Sequence, residues 1–374
     1  MMRLFNRAFF VELVKRYDFS FFGAATAIFI IGILNLYSAT HSNNDPGTEG
    51  LYRAQIIWFI IAMLVGFGIS FVKMKTVIRY SYLIYGVGLV CLILVHFLGD
   101  TGMGAQRWLV LGPLRFQPSE IMKLGLVLAL ARWFSKANPL NPVGFRELVV
   151  PGIIAAVPAG LVMLQPDLGT GLLIAFITFS ICFYRNLKWK TIVIIGILGL
   201  IVSYAGYNYG LRDYQKKRIT NFIDPTQDAK GSGYNAIQSK IAIGSGQFIG
   251  KGFKKSSQAS LNYLPENHTD FVFAIFNEEH GFFGSLVLIS LYIVLFYRFI
   301  WLATSVGKLY DSLVVMGIMF IFFWHSFINM SMVTGLMPIV GIPLPLMSYG
   351  GTSLLTFGVG CGLATSISNS RTLF

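Results

Sequence analysis

Asp270, Glu278 and Glu279 are three carboxylates set within ten residues, with His268 just ahead of them, in the stretch Leu264-Pro-Glu-Asn-His-Thr-Asp-Phe-Val-Phe-Ala-Ile-Phe-Asn-Glu-Glu-His-Gly281. Acids are scarce in this chain, 16 in 374 residues, and an uncharged apolar run follows this cluster at once. Charged groups at the edge of hydrocarbon are costly and tend to mark function. Clustered carboxylates suit general-base chemistry, because a second acid nearby raises the proton affinity of the first. On a helix Asn277 would lie below Asp270 and Glu278 about 80° round, so one site could hold Asp270 and one of the two glutamates. The same residues would also serve as an interfacial helix start, with Thr269 or Asp270 as N-cap and the acids at the positive helix end.

A second group is cationic. Arg107-Trp108 and Arg115-Phe-Gln117 precede Pro118-Ser119-Glu120-Ile-Met-Lys123. Pro followed by Ser reads as a helix start, and Glu120 and Lys123 share a face at i,i+3. Lys123 could be aimed at a phosphate near the headgroups or could be only the partner of Glu120, snorkelling to the interface. Arg107 and Arg115 could bind phosphate in bidentate fashion or anchor to lipid headgroups. Asp167 in Gln165-Pro-Asp-Leu-Gly-Thr sits in a tight turn, where it could simply cap the next helix. Ser348 and Tyr349 belong to Gly341-Ile-Pro-Leu-Pro-Leu-Met-Ser-Tyr-Gly-Gly351.

These groups need a scaffold, and composition names it. The chain is 55% hydrophobic and only 12% charged. Uncharged apolar runs near 20 residues are long enough to cross a bilayer as helices. Ten candidates occur, at about 19–38, 54–72, 80–98, 119–134, 148–164, 168–184, 191–209, 281–302, 312–334 and 350–369. The fold expected is an all-α integral membrane protein, one polytopic domain over 1–374 with a large extracytoplasmic loop at about 210–280. Thr269 to Leu302 is too long for one untilted span, so residues 270–280 are expected to form a separate short helix or re-entrant segment.

Sixteen Lys and Arg fall in the segments that are cytoplasmic if the amino terminus is inside, against Arg53, Arg107 and Arg115 in the short loops opposite. The positive-inside rule then puts both termini in the cytoplasm and the acidic and cationic clusters on the outer face. The first span lacks a cleavage site and reads as a retained helix. The net charge of +13 partly reflects this loop bias, and no nucleic-acid motif accompanies it. Cys91, Cys182 and Cys361 fall in three different spans, with no CxxC or Cys/His spacing, so neither a disulfide framework nor structural zinc is expected. The glycines around Lys251 do not make a phosphate loop, since no Ser or Thr follows that Lys.

Several of these segments together resemble the SEDS family (shape, elongation, division and sporulation). They are Leu264-Pro-Glu-Asn-His-Thr-Asp-Phe, Glu278-Glu-His-Gly, Gly104-Ala-Gln-Arg-Trp, Phe116-Gln-Pro-Ser-Glu-Ile-Met-Lys, Gln165-Pro-Asp-Leu-Gly-Thr, Ser239-Lys-Ile-Ala-Ile-Gly-Ser-Gly and Gly341-Ile-Pro-Leu-Pro…Ser-Tyr-Gly-Gly. They run in family order from about residue 100 to 365, and the Gly-Ile-Pro-Leu-Pro form is similar to the elongation-type members. The pattern departs at Gln247-Phe248, where Gly-Leu or similar is expected.

The resemblance implies a peptidoglycan glycosyltransferase that polymerises lipid II, an undecaprenyl-pyrophosphate-linked disaccharide peptide, with an inverting displacement. It maps the essential acid onto Asp270 as base, with Glu278 or Glu279 assisting. Arg107, Trp108, Arg115, Gln117, Glu120, Lys123, Asp167, His268, Ser348 and Tyr349 become expected substrate contacts. A divalent cation, Mg2+ or Mn2+, is an expected companion of a pyrophosphate site, though no ligand set is legible. A class B penicillin-binding protein with transpeptidase activity is the implied partner, besides membrane lipids. The rival reading from another class is a lipid II flippase, which would keep ionisable groups nearer the bilayer midplane.

Overall fold

The computed structural model describes residues 18–41, 50–102, 105–111, 114–138, 141–211, 213–228 and 231–371. Residues 1–17 and 372–374, which carry the predicted cytoplasmic ends, lie outside the described residues, as do Gly104 and Arg212.

All ten predicted apolar segments are helical. They are α1 (Phe19–His41), α2 (Leu51–Ile69), α3 (Met74–Leu98), α4 (Pro118–Phe134), α5 (Val149–Leu164), α6 (Leu168–Tyr184) and α7 (Trp189–Ala205). After the loop helices α8 (Asp213–Ile223) and α9 (Ser232–Gly246) and a single helical turn at Ser257–Ser260 come α10 (Val272–Ser305), α11 (Leu309–Thr334) and α12 (Gly351–Arg371). Seven of the helices are long and apolar enough to cross a membrane by length and composition alone. α4, α6 and α12 complete the set, and the chain is a multi-pass membrane protein.

Helix α11 is buried along most of its length, whereas α7 buries almost nothing but Thr191. The bundle is therefore built around α11, which packs on α4, α6 and α10, with α7 at its outside. Small residues let the backbones close. A Cβ on Gly66 would fall 2.4 Å from the carbonyl oxygen of Gly358, and one on Gly358 would fall 2.1 Å from that of Ala62. With no hydrophobic force between helices in lipid, such contact is the main source of association, and it joins α2 to α12.

Two features were not legible as elements in the sequence. Residues between α3 and α4 form a three-stranded antiparallel sheet, β1 (Asp100–Gly102), β2 (Ala105–Leu111) and β3 (Leu114–Phe116). Thr101 pairs with Gln106 and Val110 with Arg115. The long 210–280 segment is largely helical, and α9 packs against α10.

Helix α10 is two helices meeting at Gly281, whose φ of 64° and ψ of −161° break the ladder, as the length argument predicts. The freed backbone groups are satisfied by the loop after α9. Lys251 and Gly252 donate to the carbonyls of Glu278 and Glu279, while Phe282 and Phe283 donate to those of Gln247 and Phe248. An irregular backbone inside a membrane protein needs such internal partners. Gln247 itself has φ 48°, a conformation that favours glycine, which gives a physical reason for the Gly expected there.

Candidate active site

The site lies at the end of the bundle where β1–β3, the α5–α6 turn, the 264–271 segment and the 335–350 loop converge. Asp270 ends a turn held by the carbonyl of Glu266, which accepts from the amides of Thr269, Asp270 and Phe271. Asn329 of α11 is fully buried and donates through one Nδ2 to the carbonyls of Asp270 (2.9 Å) and Ile342 (2.7 Å). It thereby fastens the acid to the 341–345 loop.

That loop is pinned further along. Ser348 donates to Thr269 O at 2.6 Å and accepts from the amide of Leu344 at 2.8 Å. Tyr349 N donates to His268 O at 2.9 Å. Gln55 of α2 reaches across to Ser348 O at 2.8 Å and accepts from Gly350 N at 3.1 Å. The Ser348 hydroxyl and the Tyr349 amide thus support the backbone beside Asp270. His268 lies 3.9 Å from a Glu266 oxygen.

Arg107 on β2 donates to Pro166 O at 2.9 Å, and its Nε stands 3.4 Å from Asp167 Oδ2. Asp167 caps α6 through Thr170 N and Oγ1 at 3.1 and 2.9 Å. Capping was one of the two roles open to Asp167, and it serves that role while also holding Arg107. Gly169 packs on Val340, so closely that a Cβ there would meet Val340 Cγ1 at 2.1 Å. Val340 O in turn accepts from Arg218 of α8 at 3.4 Å. The Val340–Gly341 corner therefore has Gly169 and Arg218 against Val340 and Asp270 against Gly341.

Burial is the main cause that raises the Asp270 carboxyl from 3.8 to about 6, with Glu266 and Asp167 adding repulsion. Arg107 and then Arg218 act in the opposite direction. A carboxylate poised near neutrality is what a general base requires.

Other expected residues are placed elsewhere. Glu278 is fully buried and accepts from Lys251 Nζ at 2.5 Å, from Ser257 Oγ at 2.7 Å, from Ser257 N at 3.0 Å and from Ser256 Oγ. Glu279 accepts from Ser38 of α1. The hydrogen bonds of these two carboxyls go to the 247–258 loop and to α1, and not to Asp270. The reason is the break at Gly281: both glutamates are taken up in binding the 247–258 loop and α1 around it.

Lys123 is likewise corrected as a phosphate ligand. It is the largest fully buried side chain among the described residues, bonded to Glu120 at 2.7 Å and to His325 Nε2 of α11 at 2.5 Å. Helix α4 is inside the bundle, so its first turn faces α11 and not the headgroups. Arg115 is exposed on β3, half-buried Trp108 neighbours Arg107 on the opposite face of β2, and Gln117 N donates to Thr352 Oγ1 at 3.4 Å.

Sequence reasoning missed Arg218, Asn329 and His325. The last two carried a signal, as polar side chains inside an otherwise apolar span. Arg218 carried a weaker one, within the basic run Lys216-Lys-Arg218 of a loop exempt from the orientation rule.

Comparison with known proteins agrees with this architecture. The peptidoglycan glycosyltransferase MrdB of Escherichia coli is 36% identical over 350 residues, 92% of this chain and 93% of that protein. The peptidoglycan glycosyltransferase RodA of Treponema pallidum is 28% identical, covering 96% of this chain and 99% of its own. A chain from a solved peptidoglycan synthase complex matches with a TM-score of 0.82 at 31% identity, over 96% of this chain and 99% of that one. The crystal structure of the Thermus thermophilus rod shape determining protein RodA matches at 0.71 and 30%, over 96% of this chain and 98% of that one. The family model for cell cycle proteins of the FtsW/RodA/SpoVE type matches residues 19–373, and the chain belongs to that family.

Proposed function

We propose that this chain is a peptidoglycan glycosyltransferase of the elongation type, polymerising lipid II at the outer face of the cytoplasmic membrane. The observation that carries the reading is Asp270: a carboxyl raised to about 6, fixed against Gly341 and flanked by Arg107 and Arg218. In the reaction Asp270 takes the proton of the acceptor GlcNAc 4-hydroxyl as its oxygen attacks the donor anomeric carbon. The C1–O bond to pyrophosphate breaks on the opposite face, and the polyprenyl pyrophosphate leaves with the electron pair. A single displacement inverts the α-linked donor to a β-1,4 linkage. Arg107, whose charge acts on Asp270, meets charge developing on the leaving group. Asp167 orients Arg107 for that task.

Among the described residues no three His, Cys, Asp or Glu converge as a metal cage. Mg2+ or Mn2+ enters this proposal only as a companion of the substrate pyrophosphate, and no step is derived through it. The loop bias of Lys and Arg supports cytoplasmic termini and an extracytoplasmic site. The match to a chain of a peptidoglycan synthase complex supports a class B penicillin-binding protein as partner.

One observation favours a flippase: the Glu120–Lys123–His325 cluster is buried between helices, as transport pathways often are. Purified protein in liposomes with labelled lipid II separates the two. Glycan strands longer than a disaccharide from the wild type are expected, and lipid II movement without polymer would overturn the transferase reading.

A further inference from the structure

Resting on the transferase reading, we infer that His325 is a positioning residue for the reaction: as a neutral imidazole protonated at Nδ1 it holds the carbonyl of Pro343, and so keeps the loop of Gly341 pressed on Asp270. The Glu120–Lys123 pair sets that tautomer.

The loop Gly341-Ile-Pro-Leu-Pro-Leu-Met-Ser348 is irregular, since Pro343 and Pro345 have no N–H to give to a ladder. It is nonetheless packed into the end of the bundle, where its carbonyls need donors from within the protein. Leu344 O accepts from the amides of Met347 and Ser348, at 3.2 and 2.9 Å. Three others accept from buried side chains of α10 and α11. Ile342 O takes Asn329 Nδ2 at 2.7 Å, Pro343 O takes His325 Nδ1 at 3.4 Å, and Pro345 O takes the Tyr292 hydroxyl. His325 and Asn329 are four residues apart on one face of α11, so they meet successive carbonyls. Asn329 also bonds Asp270 O at 2.9 Å, which makes this face of α11 the template for both the loop and the acid.

The tautomer follows from the far side of the ring. Lys123 Nζ lies 2.5 Å from His325 Nε2 and 2.7 Å from Glu120 Oε1. An ammonium only donates, so Nε2 accepts and carries no proton. The ring proton is then on Nδ1, facing Pro343 O, which only accepts. A doubly protonated ring would set two donors against each other at Nε2. The other neutral tautomer would do the same and leave Pro343 O opposite a bare nitrogen. An ion pair on one side of the imidazole is thus converted into a hydrogen-bond direction on the other. The buried cluster thereby takes part in transfer without touching substrate.

The test uses the full chain in proteoliposomes of phosphatidylethanolamine and phosphatidylglycerol, with labelled lipid II. His325→Leu removes the donor to Pro343 and should lower kcat at least about tenfold, with KM within about twofold of wild type. His325→Gln, whose amide offers one donor and one acceptor as the neutral ring does, should keep kcat within about threefold. Adding His325→Leu to Glu120→Gln with Lys123→Met leaves the cluster uncharged, so Tm should approach that of the wild type while kcat stays as low as in His325→Leu. A merely structural role requires kcat to return with Tm, and that result would overturn the inference. So would a normal kcat in His325→Leu, a loss confined to KM, or a Gln variant as impaired as the Leu. A triple variant that does not fold leaves the decision to the ring itself. In protein labelled with 15N-histidine, the resonances missing from His325→Gln should be those of an imidazole protonated at Nδ1 and bare at Nε2, and a proton at Nε2 would overturn the assignment. No glycan from the wild type, with the tautomer as expected, would instead overturn the transferase reading.

Discussion

The carboxylate of Asp270 lies against Gly341 so closely that a methyl group on that glycine would stand 3.1 Å from Oδ2. Gly341 also has φ of 79°, which non-glycine residues adopt at a cost of roughly 1–2 kcal/mol. Both constraints bear on the base, since neighbouring Val340 and Ile342 are held by Arg218 and Asn329. Gly341→Ala should therefore lower kcat by at least about tenfold, with a smaller effect on the KM for lipid II. Steady-state kinetics with labelled lipid II check this, and a normal kcat would show that the contact does not position the acid.

Asp270→Asn should fold and bind lipid II but lose about 10²–10⁴ in rate, the usual worth of a general base. With the wild-type carboxyl at about 6, its activity should rise with pH through that value and level off above it. A pH–rate profile flat between 5 and 7 would assign the chemistry elsewhere.

The same shift has a stability consequence of opposite sense. A carboxyl raised from 3.8 to about 6 binds more protons folded than unfolded between those values, so its contribution to stability falls as pH rises through that window. Asp270→Asn removes the cost of the buried charge. Its Tm should match or exceed that of the wild type at pH 7.5, and the advantage should shrink towards pH 4. A lower Tm for the Asn variant at pH 7.5 would mean that the ionised carboxylate is a net structural tie.

Lys123→Met strands Glu120 in the bundle interior, and breaking a buried pair costs about 3–5 kcal/mol. Lys123→Met should therefore lower Tm sharply, and Glu120→Gln with Lys123→Met should regain most of it. Thermal unfolding in detergent measures both. If the double variant also regains polymerisation, Lys123 has no part in binding pyrophosphate, as its burial indicates.

Ser260 is exposed in the segment before Asp270 and tests orientation. In a background lacking Cys91, Cys182 and Cys361, Ser260→Cys should react with an impermeant thiol reagent in intact spheroplasts. Labelling only after lysis would reverse the topology and place the site on the cytoplasmic side.

The sequence alone determined the membrane class, the ten helices and the break in α10, because these depend on local quantities: apolar run length, charge scarcity and the span that 34 residues overfill. It also marked Asp270, since an acid beside hydrocarbon is conspicuous in one dimension. Which groups accompany Asp270 was decided by tertiary structure. Helical geometry pointed to Glu278 and Glu279, but Gly281 ends the helix there, and the 247–258 loop needs their carboxylates and carbonyls to satisfy its own donors. Lys123 looked exposed because it is near a helix start, yet α4 lies inside the bundle, where Lys123 is bonded to Glu120 and His325. Arg218 comes to the site from 52 residues before Asp270, through the packing of α8 over the Val340–Gly341 corner. Spacing along a chain reports neighbours on one helix, whereas the environment of a buried charge is set by whichever segments fold against it.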